Sequence, residues 1–244
     1  MLFRSASASA EPPFFCFSDE TYHTELPGAE RALSEPNGLL AAGGSLQPDT
    51  LLGAYQHGIF PWYSRGQPLL WWAPNPRTVF WPAQFHVSRS LARTLARGEF
   101  SVSFDRDFAA VIRACGPART PPGDTWITPA MLRAYTALHA LGHAHSVECW
   151  RAGELVGGVY GVAVGQVFFG ESMFSRMSNA SKVALAVLCR QLVEWGYTLM
   201  DCQMESAHLS SLGAQEISRP YFTRLLTTLC HTPPAGDAWS QPAA

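Results

Sequence analysis

The sequence has few charged side chains and no long apolar run, and both absences exclude whole classes of protein. Charged residues make up 15% of the 244 residues and hydrophobic residues 47%, which excludes a disordered polyelectrolyte. No stretch reaches the roughly 18 uninterrupted apolar residues that a membrane-spanning helix needs. The start of the chain has no apolar segment typical of a secretory signal. We therefore expect a cytoplasmic protein with no membrane partner.

Cysteine pairs at metal-binding spacing are missing as well. The sequence has six cysteines, and none of them forms a Cys-x-x-Cys pair. Their spacing indicates neither a zinc site nor a disulfide framework, so we interpret them as reduced thiols. The stretch HAHS places His143 and His145 on one face of a predicted strand, but no third ligand is adjacent. We expect no bound metal.

Lysine is almost absent, because Lys182 is the one lysine beside sixteen arginines. Residues 1–49 contain seven acidic and two basic side chains, whereas residues 65–133 contain nine arginines and four acidic side chains. Arginine binds phosphate oxygens through two parallel hydrogen bonds. A basic stretch can therefore bind nucleic acid although the whole chain carries a net charge of −2. A solvated surface is the alternative explanation of the same charges.

The first part of the chain divides into a loose start and one small structured unit. Residues 1–25 are rich in serine, alanine and proline, which predicts a loose leader. Pro48 suits the first turn of a helix that ends near His57, before Gly58. The stretch PWYSRGQPLLWWAPNPR, which ends at Arg77, contains four prolines and one glycine. It predicts an ordered loop or a short hairpin rather than a helix.

The rest of the chain predicts helices followed by a strand meander. Three amphipathic helices and one strand come first, with Ser88 and Thr128 as helix N-caps. Three antiparallel strands follow (HSVECWR, LVGGVYGVAV and VFFGESMF), then a helix, the strand YTLMDCQ, a short strand and a last helix. This order predicts an α+β fold with a mixed, largely antiparallel sheet and flanking helices, as in acyltransferases of the GNAT type.

Eleven motifs, in a consistent order over roughly residues 30–225, carry a resemblance to one family. The motifs are EPNGLLAAGG, GIFPWYS, LWWAPNPR, FHVSRSL, DTWIT, LHALGHAHSVE, LVGGVYGVA, FFGESMFSR, ASKVAL, DCQ and HLSSLGA. Together they resemble the leucyl/phenylalanyl-tRNA–protein transferases. The resemblance implies a small N-terminal domain over residues 1–76 and a GNAT-like aminoacyl-transfer domain over residues 77–244. Ser45 and Leu26-Pro27 depart from the family pattern, but they lie in turns and near the terminus.

The resemblance also implies an activity and its partners. The protein would transfer Leu or Phe, with Met as a further candidate, from aminoacyl-tRNA to the α-amino group of proteins that begin with Arg or Lys. The transferred residue would mark those proteins for degradation. No ATP, metal or other cofactor is implied, because the aminoacyl ester is already activated. We expect a monomer.

Three polar side chains are candidates for the chemistry. In the stretch LMDCQ, Asp201 and Gln203 are two residues apart on a predicted strand, so they would share one face. The resemblance gives this pair a catalytic role, either in proton relay or in positioning. Glu171, at the end of an apolar strand, would bind the basic side chain or the α-amine of the acceptor. The alternatives are a satisfied polar pair at a sheet edge and a turn carboxylate.

The other candidates would hold the donor. A hydrophobic pocket for Leu or Phe is predicted around Phe168, Met173 and Leu185, with core packing as the alternative for each. Trp62 and Trp126 would stack on the terminal adenosine of the tRNA. The alternative for Trp62 is packing between units, and the alternative for Trp126 is a packed lid beside the helix cap. Six arginines would contact the acceptor-stem phosphates, and they are Arg77, Arg89, Arg93, Arg97, Arg113 and Arg119.

Two other functions are compatible with parts of this pattern. A coenzyme-A-dependent N-acetyltransferase would share the fold. Proteins of that class have a glycine-rich loop just before a helix, and the backbone amides of this loop bind the pyrophosphate of coenzyme A. The corresponding segment here, SRMSNASKVAL, contains no glycine. A non-catalytic tRNA-binding module would need the arginines but neither the polar pair nor an apolar pocket.

Overall fold

The computed structural model describes residues 14–17, 25–116 and 125–240. The strands are β1 (Phe15–Cys16), β2 (Leu39–Ala42), β3 (Phe60–Pro61), β4 (Leu70–Trp72), β5 (Arg77–Phe80), β6 (Ser101–Phe104), β7 (Ala144–Arg151), β8 (Glu154–Val164), β9 (Val167–Ser175), β10 (Leu199–Asp201) and β11 (Gln215–Ile217). The helices are α1 (Pro48–Gln56), α2 (Arg89–Ala96), α3 (Phe108–Cys115), α4 (Pro129–Ala140), α5 (Ala180–Glu194), α6 (Ala207–Ser210) and α7 (Arg219–Leu229). Short 3-10 turns occupy Ala29–Arg31 and Pro82–Gln84.

Most of the predicted leader, residues 1–25, lies outside the described residues. The segment that is described forms β1, which pairs in parallel with Ala41 and Ala42 of β2. The Phe15 ring packs against the main hydrophobic cluster and lies 4.4 Å from the Arg31 guanidinium carbon. The prediction of a loose leader was therefore wrong for this segment, because its apolar side chains are held by the small sheet.

The small sheet has the strand order β1-β2-β4-β3. The predicted hairpin is confirmed, since β3 and β4 pair antiparallel with Phe60 opposite Trp72. A tight turn closes it: the Ser64 backbone nitrogen donates to the Gln67 side-chain oxygen at 2.8 Å, and the Gln67 nitrogen donates to the Ser64 carbonyl at 3.0 Å. The prolines and Gly66 therefore shape a hairpin rather than interrupt a helix.

The large sheet has seven strands in the order β11-β5-β10-β9-β8-β7-β6. Only β9 and β10 pair in parallel, and every other neighbouring pair is antiparallel. The predicted α+β fold with a mixed, largely antiparallel sheet is therefore confirmed. The sequence pattern missed β5, because its four residues follow a proline-rich stretch. This strand pairs with both β10 and β11, so it extends the sheet beyond the meander.

Two hydrophobic clusters cover the two faces of the large sheet. Side chains on a strand alternate between faces, and Phe169 accordingly packs with α3, α4 and α7 while Phe168 packs with α5 and α2. The predicted N-caps are confirmed, because Ser88 accepts a hydrogen bond from Leu91 and Thr128 accepts one from Met131. Among the described helices, none combines the length and apolarity that spanning a membrane requires.

The division at residue 76 stays a prediction. The small sheet uses strands up to Trp72, and the large sheet begins at Arg77. One hydrophobic cluster nevertheless contains Tyr55 of α1 together with Tyr135 and Phe169 of the later elements. The two parts of the chain therefore share a core, and α1 reaches the large sheet.

The parallel pair β9 and β10 separates after the third of the nine residues of β9. The two strands pair over three positions, ending with Asp201 opposite Phe169. After that point β9 continues to Ser175, while β10 ends at Asp201 and the Cys202 backbone nitrogen bonds to Thr78 of β5 on the other side. A gap opens between residues 170–173 on one side and residues 202–209 on the other. This gap opens beside the central strands of the large sheet.

Candidate active site

Asp201 at the end of β10 is fully buried and forms an ion pair with Arg77 at the start of β5. The Arg77 Nε and Nη2 atoms each donate to one Asp201 oxygen at 2.7 Å. Nη1 donates to the Gly58 carbonyl at 2.8 Å, and the guanidinium lies between the rings of Phe60 and Phe222. The prediction that Arg77 binds tRNA phosphate was wrong, because 1% of the side chain is exposed and its donors are used inside the protein.

Gln203 completes the hydrogen bonding of Asp201, though not by the geometry that strand alternation predicts. The strand ends at Asp201, and Gln203 has a positive φ of 58°. Its backbone nitrogen donates to one Asp201 oxygen and its side-chain Nε2 donates to the other, both at 3.1 Å. The pair does not lie at a sheet edge either, since β10 runs between β5 and β9. Asp201 thus accepts four hydrogen bonds.

Glu171 lies in the middle of β9, not at its end as the sequence predicted. Tyr160 pairs with Ser172 and Gly161 pairs with Gly170, so Glu171 is the extra residue of a β-bulge. A bulge re-aims the side chain of its extra residue. The neighbouring Gly161 has no room for a side chain, because a Cβ there would lie 2.3 Å from the Phe169 carbonyl oxygen. The close approach of the two strands therefore needs glycine beside the bulge.

Two tyrosine hydroxyls hold the Glu171 carboxylate. Tyr55 of α1 donates to Oε1 and Tyr135 of α4 donates to Oε2, each at 2.7 Å. The two hydroxyl oxygens are also in contact with each other, and since each hydroxyl has one proton, all three contacts are hydrogen bonds at once when the Glu171 carboxyl carries a third proton. Burial raises the pKa of Glu171, the hydrogen bonds from the two tyrosines lower it, and the smaller effects of Asp201 and Arg77 oppose each other, so that the resulting pKa is about 7. Glu171 can therefore exchange a proton near neutral pH.

A cavity of about 250 Å³ occupies the gap between β9 and β10, and we name it the splay cavity. Glu171 and Gln203 are among its polar lining residues, and Met173, Met200 and Val159 contribute apolar surface. Ser172, Ser206 and His208 are polar lining residues as well. The structure therefore brings together three of the predicted residues, namely Glu171, Gln203 and Met173. Asp201 lies behind Gln203 and contacts the cavity through it.

Phe168 and Leu185, predicted as pocket residues, do not line the splay cavity. Both side chains are fully buried in the cluster that covers the α5 face of the sheet. Phe168 stacks on Trp239 with ring centroids 5.6 Å apart. The prediction that Phe168 and Leu185 line the pocket is therefore corrected for the splay cavity. Both side chains belong to the packed core, which was the alternative prediction.

The structure places the two predicted tryptophans on adjacent segments. Trp62 is 39% exposed and meets Trp72 edge to face, with ring centroids 5.6 Å apart. Trp126 is partly buried against the main cluster. The Tyr63 hydroxyl bonds to the Thr128 hydroxyl at 3.0 Å, which ties the hairpin of Trp62 to the start of α4 after Trp126. Their predicted stacking on an adenosine stays a prediction.

Three of the predicted phosphate contacts lie together along α2. Arg89, Arg93 and Arg97 are exposed, and their spacing of four residues puts them on one stripe of the helix. Arg97 lies 3.8 Å from Glu99 in an exposed ion pair. Arg113 is exposed on α3. Arg119 falls outside the described residues.

Sequence reasoning missed the tyrosines and a histidine at this site. Tyr55 lies on α1, yet its hydroxyl bonds to a carboxylate 116 residues away. A buried tyrosine needs a partner for its hydroxyl, and that requirement was the available signal for Tyr55 and Tyr135. His208 of α6 also lines the cavity. Burial, followed by the nearby Lys182 charge, lowers the pKa of His208.

An apolar cavity with a titratable carboxylate and a fixed carboxamide is the kind of site that acyl transfer to an amine requires. A family model described as "Leucyl/phenylalanyl-tRNA protein transferase" matches residues 79–227. A second, described as the N-terminal domain of that family, matches residues 44–75. The chain belongs to the leucyl/phenylalanyl-tRNA–protein transferase family.

Curated relatives of this family align with the chain over most of their length. A leucyl/phenylalanyl-tRNA–protein transferase from Pseudomonas fluorescens is 58% identical over 202 residues, covering 83% of this chain and 89% of the relative. Proteins of the same name from Azotobacter vinelandii and Nitrosomonas eutropha are 56% and 53% identical. These alignments cover 87% and 91% of this chain, and 94% of each relative.

Solved structures are similar to the chain at lower identity. A GCN5-related N-acetyltransferase from Kribbella flavida aligns with 13% identity and a TM-score of 0.39, covering 70% of this chain and 61% of that one. The L-PGS from Bacillus licheniformis aligns with 11% identity and a TM-score of 0.38, covering 69% and 54%. The family assignment rests on the sequence relatives.

Proposed function

We propose that this protein transfers Leu or Phe, with Met as a further donor residue, from aminoacyl-tRNA to the α-amino group of proteins that begin with Arg or Lys. The relatives are named for leucyl- and phenylalanyl-tRNA as donors and protein as acceptor. In this proposal the protein acts as a monomer in the cytoplasm, and the added residue marks the acceptor for degradation.

The splay cavity is the observation that carries the proposal. Its volume of about 250 Å³ lies below the roughly 300–1,000 Å³ of pockets for drug-sized ligands, so it suits one amino-acid side chain with its ester. The flexible thioether of Met173 adapts to both a branched and an aromatic side chain. Glu171 and Gln203 stand at the same cavity, where the ester carbonyl would meet the attacking amine.

The reaction balances with these groups alone. The acceptor nitrogen forms a bond to the ester carbonyl carbon, and the bond from that carbon to the ribose oxygen breaks. The neutral amine loses one proton, and the departing ribose oxygen gains one. An α-amine has an ordinary pKa of about 7.7–8.0, so it arrives mostly protonated and must first release one further proton to the solvent. The site therefore needs a group that accepts and returns a proton near neutral pH.

Glu171 fits the proton-transfer role better than Asp201. Asp201 is fully buried, carries the charge partner Arg77 and already accepts four hydrogen bonds. Another donor would have to displace one of those bonds. Glu171 has a pKa of about 7 and lines the cavity. We therefore assign the proton to Glu171, which also attracts the positively charged amine.

Asp201 acts through Gln203 in this scheme. The carboxamide nitrogen of Gln203 is committed to Asp201, so the carboxamide oxygen is the group available to an incoming N–H donor. Arg77 fixes Asp201, and Asp201 fixes the direction of the Gln203 amide. Asp201 and Arg77 are thus positioning residues, and Gln203 holds the attacking nitrogen.

The donor tRNA would be held outside the cavity. Trp62 and Trp126 would stack on the terminal adenosine, since base stacking on an aromatic ring contributes about 1–3 kcal/mol. The stripe Arg89, Arg93 and Arg97 would contact acceptor-stem phosphates, which positions the RNA without reading its sequence. Arg113 and Arg119 are proposed for the same contacts.

One assay tests the function against its rivals. The protein is incubated with tRNA charged with labelled Leu and a peptide that begins with Arg, without ATP or coenzyme A. Label transfer to the Arg peptide, but not to a matched peptide that begins with Glu, is the expected result. Transfer of an acetyl group from acetyl-coenzyme A instead would contradict the proposal in favour of an acetyltransferase. Retention of the charged tRNA without any transfer would contradict it in favour of a binding module.

A further inference from the structure

A second cavity, which the scheme above does not use, lies in the small sheet. It has a volume of about 350 Å³, and we name it the aromatic cavity. Aromatic rings form much of its wall, and its polar side chains include a carboxylate and a carboxamide. Its defining residues are Phe14, Trp62, Tyr63, Trp72, Glu35 and Gln67.

We infer that the aromatic cavity binds one pyrimidine base that carries an exocyclic amine, the cytosine that precedes the terminal adenosine of a tRNA. This inference rests on the proposed function, because it needs a tRNA 3′ end at the splay cavity. It assigns a binding site and a base preference to residues outside that cavity.

The aromatic walls suit a flat base. Trp62 and Trp72 meet at an interplanar angle of 66°, and the Trp72 indole nitrogen donates to the Trp62 carbonyl at 2.7 Å. The two rings are therefore fixed relative to each other. A base that stacks on one ring meets the edge of the other, and both are favourable aromatic arrangements.

The polar groups match an amine-bearing pyrimidine. A glutamate carboxylate accepts a hydrogen bond from the cytosine N4 amine, whereas uracil presents a carbonyl oxygen at that position. The Gln67 side-chain oxygen accepts from the Ser64 backbone nitrogen at 2.8 Å, which leaves the Gln67 amide nitrogen as the donor group. That nitrogen suits the carbonyl oxygen of the same base. Glu35 therefore gives the cavity a preference for cytosine over uracil.

The position of the cavity fits a base next to the reacting end. Tyr63 of the cavity wall bonds to Thr128, and Tyr135 lies seven residues further along α4 and bonds to Glu171. Seven helical residues span about 10 Å, so the cavity lies within reach of a nucleotide adjoining the ester. Trp62 borders this cavity and is also the residue proposed for the terminal adenosine. Arg65 is exposed in the adjoining turn, where it suits the intervening phosphate.

The test compares minimal donors that differ by one nucleotide. Leucyl-adenosine is extended at its 5′ side by cytidine or by uridine, and transfer to the Arg peptide is measured for each. Cytidine is expected to raise kcat/KM about tenfold through a lower KM, and uridine to give little gain. Glu35→Gln should remove the difference between cytidine and uridine, while the exposed Glu216→Gln should keep it. Gln67→Ala, a second cavity variant, should also reduce the gain, and thermal unfolding checks that each variant folds.

Three results would overturn the inference while transfer itself still occurs. They are an equal gain from cytidine and uridine, an unchanged preference in folded Glu35→Gln protein, and an equal gain from an adenosine extension. If charged tRNA also gives no transfer, the proposed function fails instead. The two failures are therefore distinguishable.

Discussion

Asp201 and Glu171 lie on neighbouring strands and differ in almost every property that matters for chemistry. Asp201 faces a guanidinium, accepts four hydrogen bonds and is fully buried. Glu171 faces two tyrosine hydroxyls, lines the splay cavity, and has a pKa raised to about 7. The guanidinium compensates the charge of the first carboxylate, whereas neutral hydroxyls leave the second easy to protonate.

This contrast teaches that the type of donor around a carboxylate decides its role. A bidentate arginine fixes the direction of the Asp201 carboxylate, so Asp201 can orient a neighbour. Tyrosine hydroxyls fix the direction of Glu171 without a positive charge, so burial dominates its pKa.

The largest expected effect is on stability, from removal of the Asp201 partner. Arg77→Ala leaves a buried carboxylate without its ion pair, which costs about 3–5 kcal/mol of unfolding free energy. Urea denaturation measures the loss. Arg151→Ala, which breaks an exposed ion pair with Glu99, should cost less than about 1 kcal/mol. Similar losses for the two variants would show that Asp201 does not depend on Arg77.

The second largest effect is expected on turnover, when the Gln203 amide that Asp201 orients is removed. Gln203→Met keeps the length of the side chain and removes its amide, so kcat should fall about a hundredfold, in the range seen for single positioned polar groups in active sites. Single-turnover transfer measures it at saturating tRNA. The exposed Gln215→Met is the matched control. A normal kcat in folded Gln203→Met protein would remove Gln203 from the chemistry.

The pH dependence of stability tests the other carboxylate. A raised pKa means that the folded state holds the Glu171 proton more tightly than the unfolded state. Stability is therefore expected to fall as pH rises from about 4.5 to about 7, by roughly 1–3 kcal/mol. The Glu171→Gln protein has no carboxyl group at this position, so its unfolding free energy should not show this fall between pH 4.5 and pH 7. Parallel stability curves for the two proteins over that range would contradict the raised pKa.

The smallest effect is on RNA affinity, away from both carboxylates. Changing Arg89 and Arg93 to Glu should weaken tRNA binding about tenfold or more and reduce the slope of log affinity against log salt by about 2. Filter binding at several salt concentrations measures both quantities. Arg224→Glu on α7 is the control. An unchanged slope would place the RNA on another surface.

Much of the fold could be predicted because local signals determine it. The caps Ser88 and Thr128, the alternating strands of the meander and the proline-rich hairpin all have short-range physical causes. The strand β5 was missed since its four residues carry too little pattern. Its neighbours in the sheet, and not its own sequence, make it a strand.

The site could be predicted only in part, because long-range contacts decide the roles of its members. Asp201, Gln203 and Glu171 could be identified as candidate active-site residues because they are polar side chains in otherwise apolar strands. No local pattern distinguishes the buried Arg77 from the exposed arginines of α2, and none predicts the bulge that re-aims Glu171. Tyr55 reaches the carboxylate from another part of the chain, so its role follows from the tertiary structure alone.

The titration of Glu171 itself tests the central claim most directly. Selective carbon-13 labelling of glutamate, with Glu171→Gln used to assign the signal, allows its carboxyl resonance to be followed between pH 4 and pH 9. The account predicts a midpoint near 7, since burial among tyrosines raises the pKa to about 7. A midpoint near 4.5, the ordinary value for this side chain, would contradict the assignment of the transferred proton to Glu171.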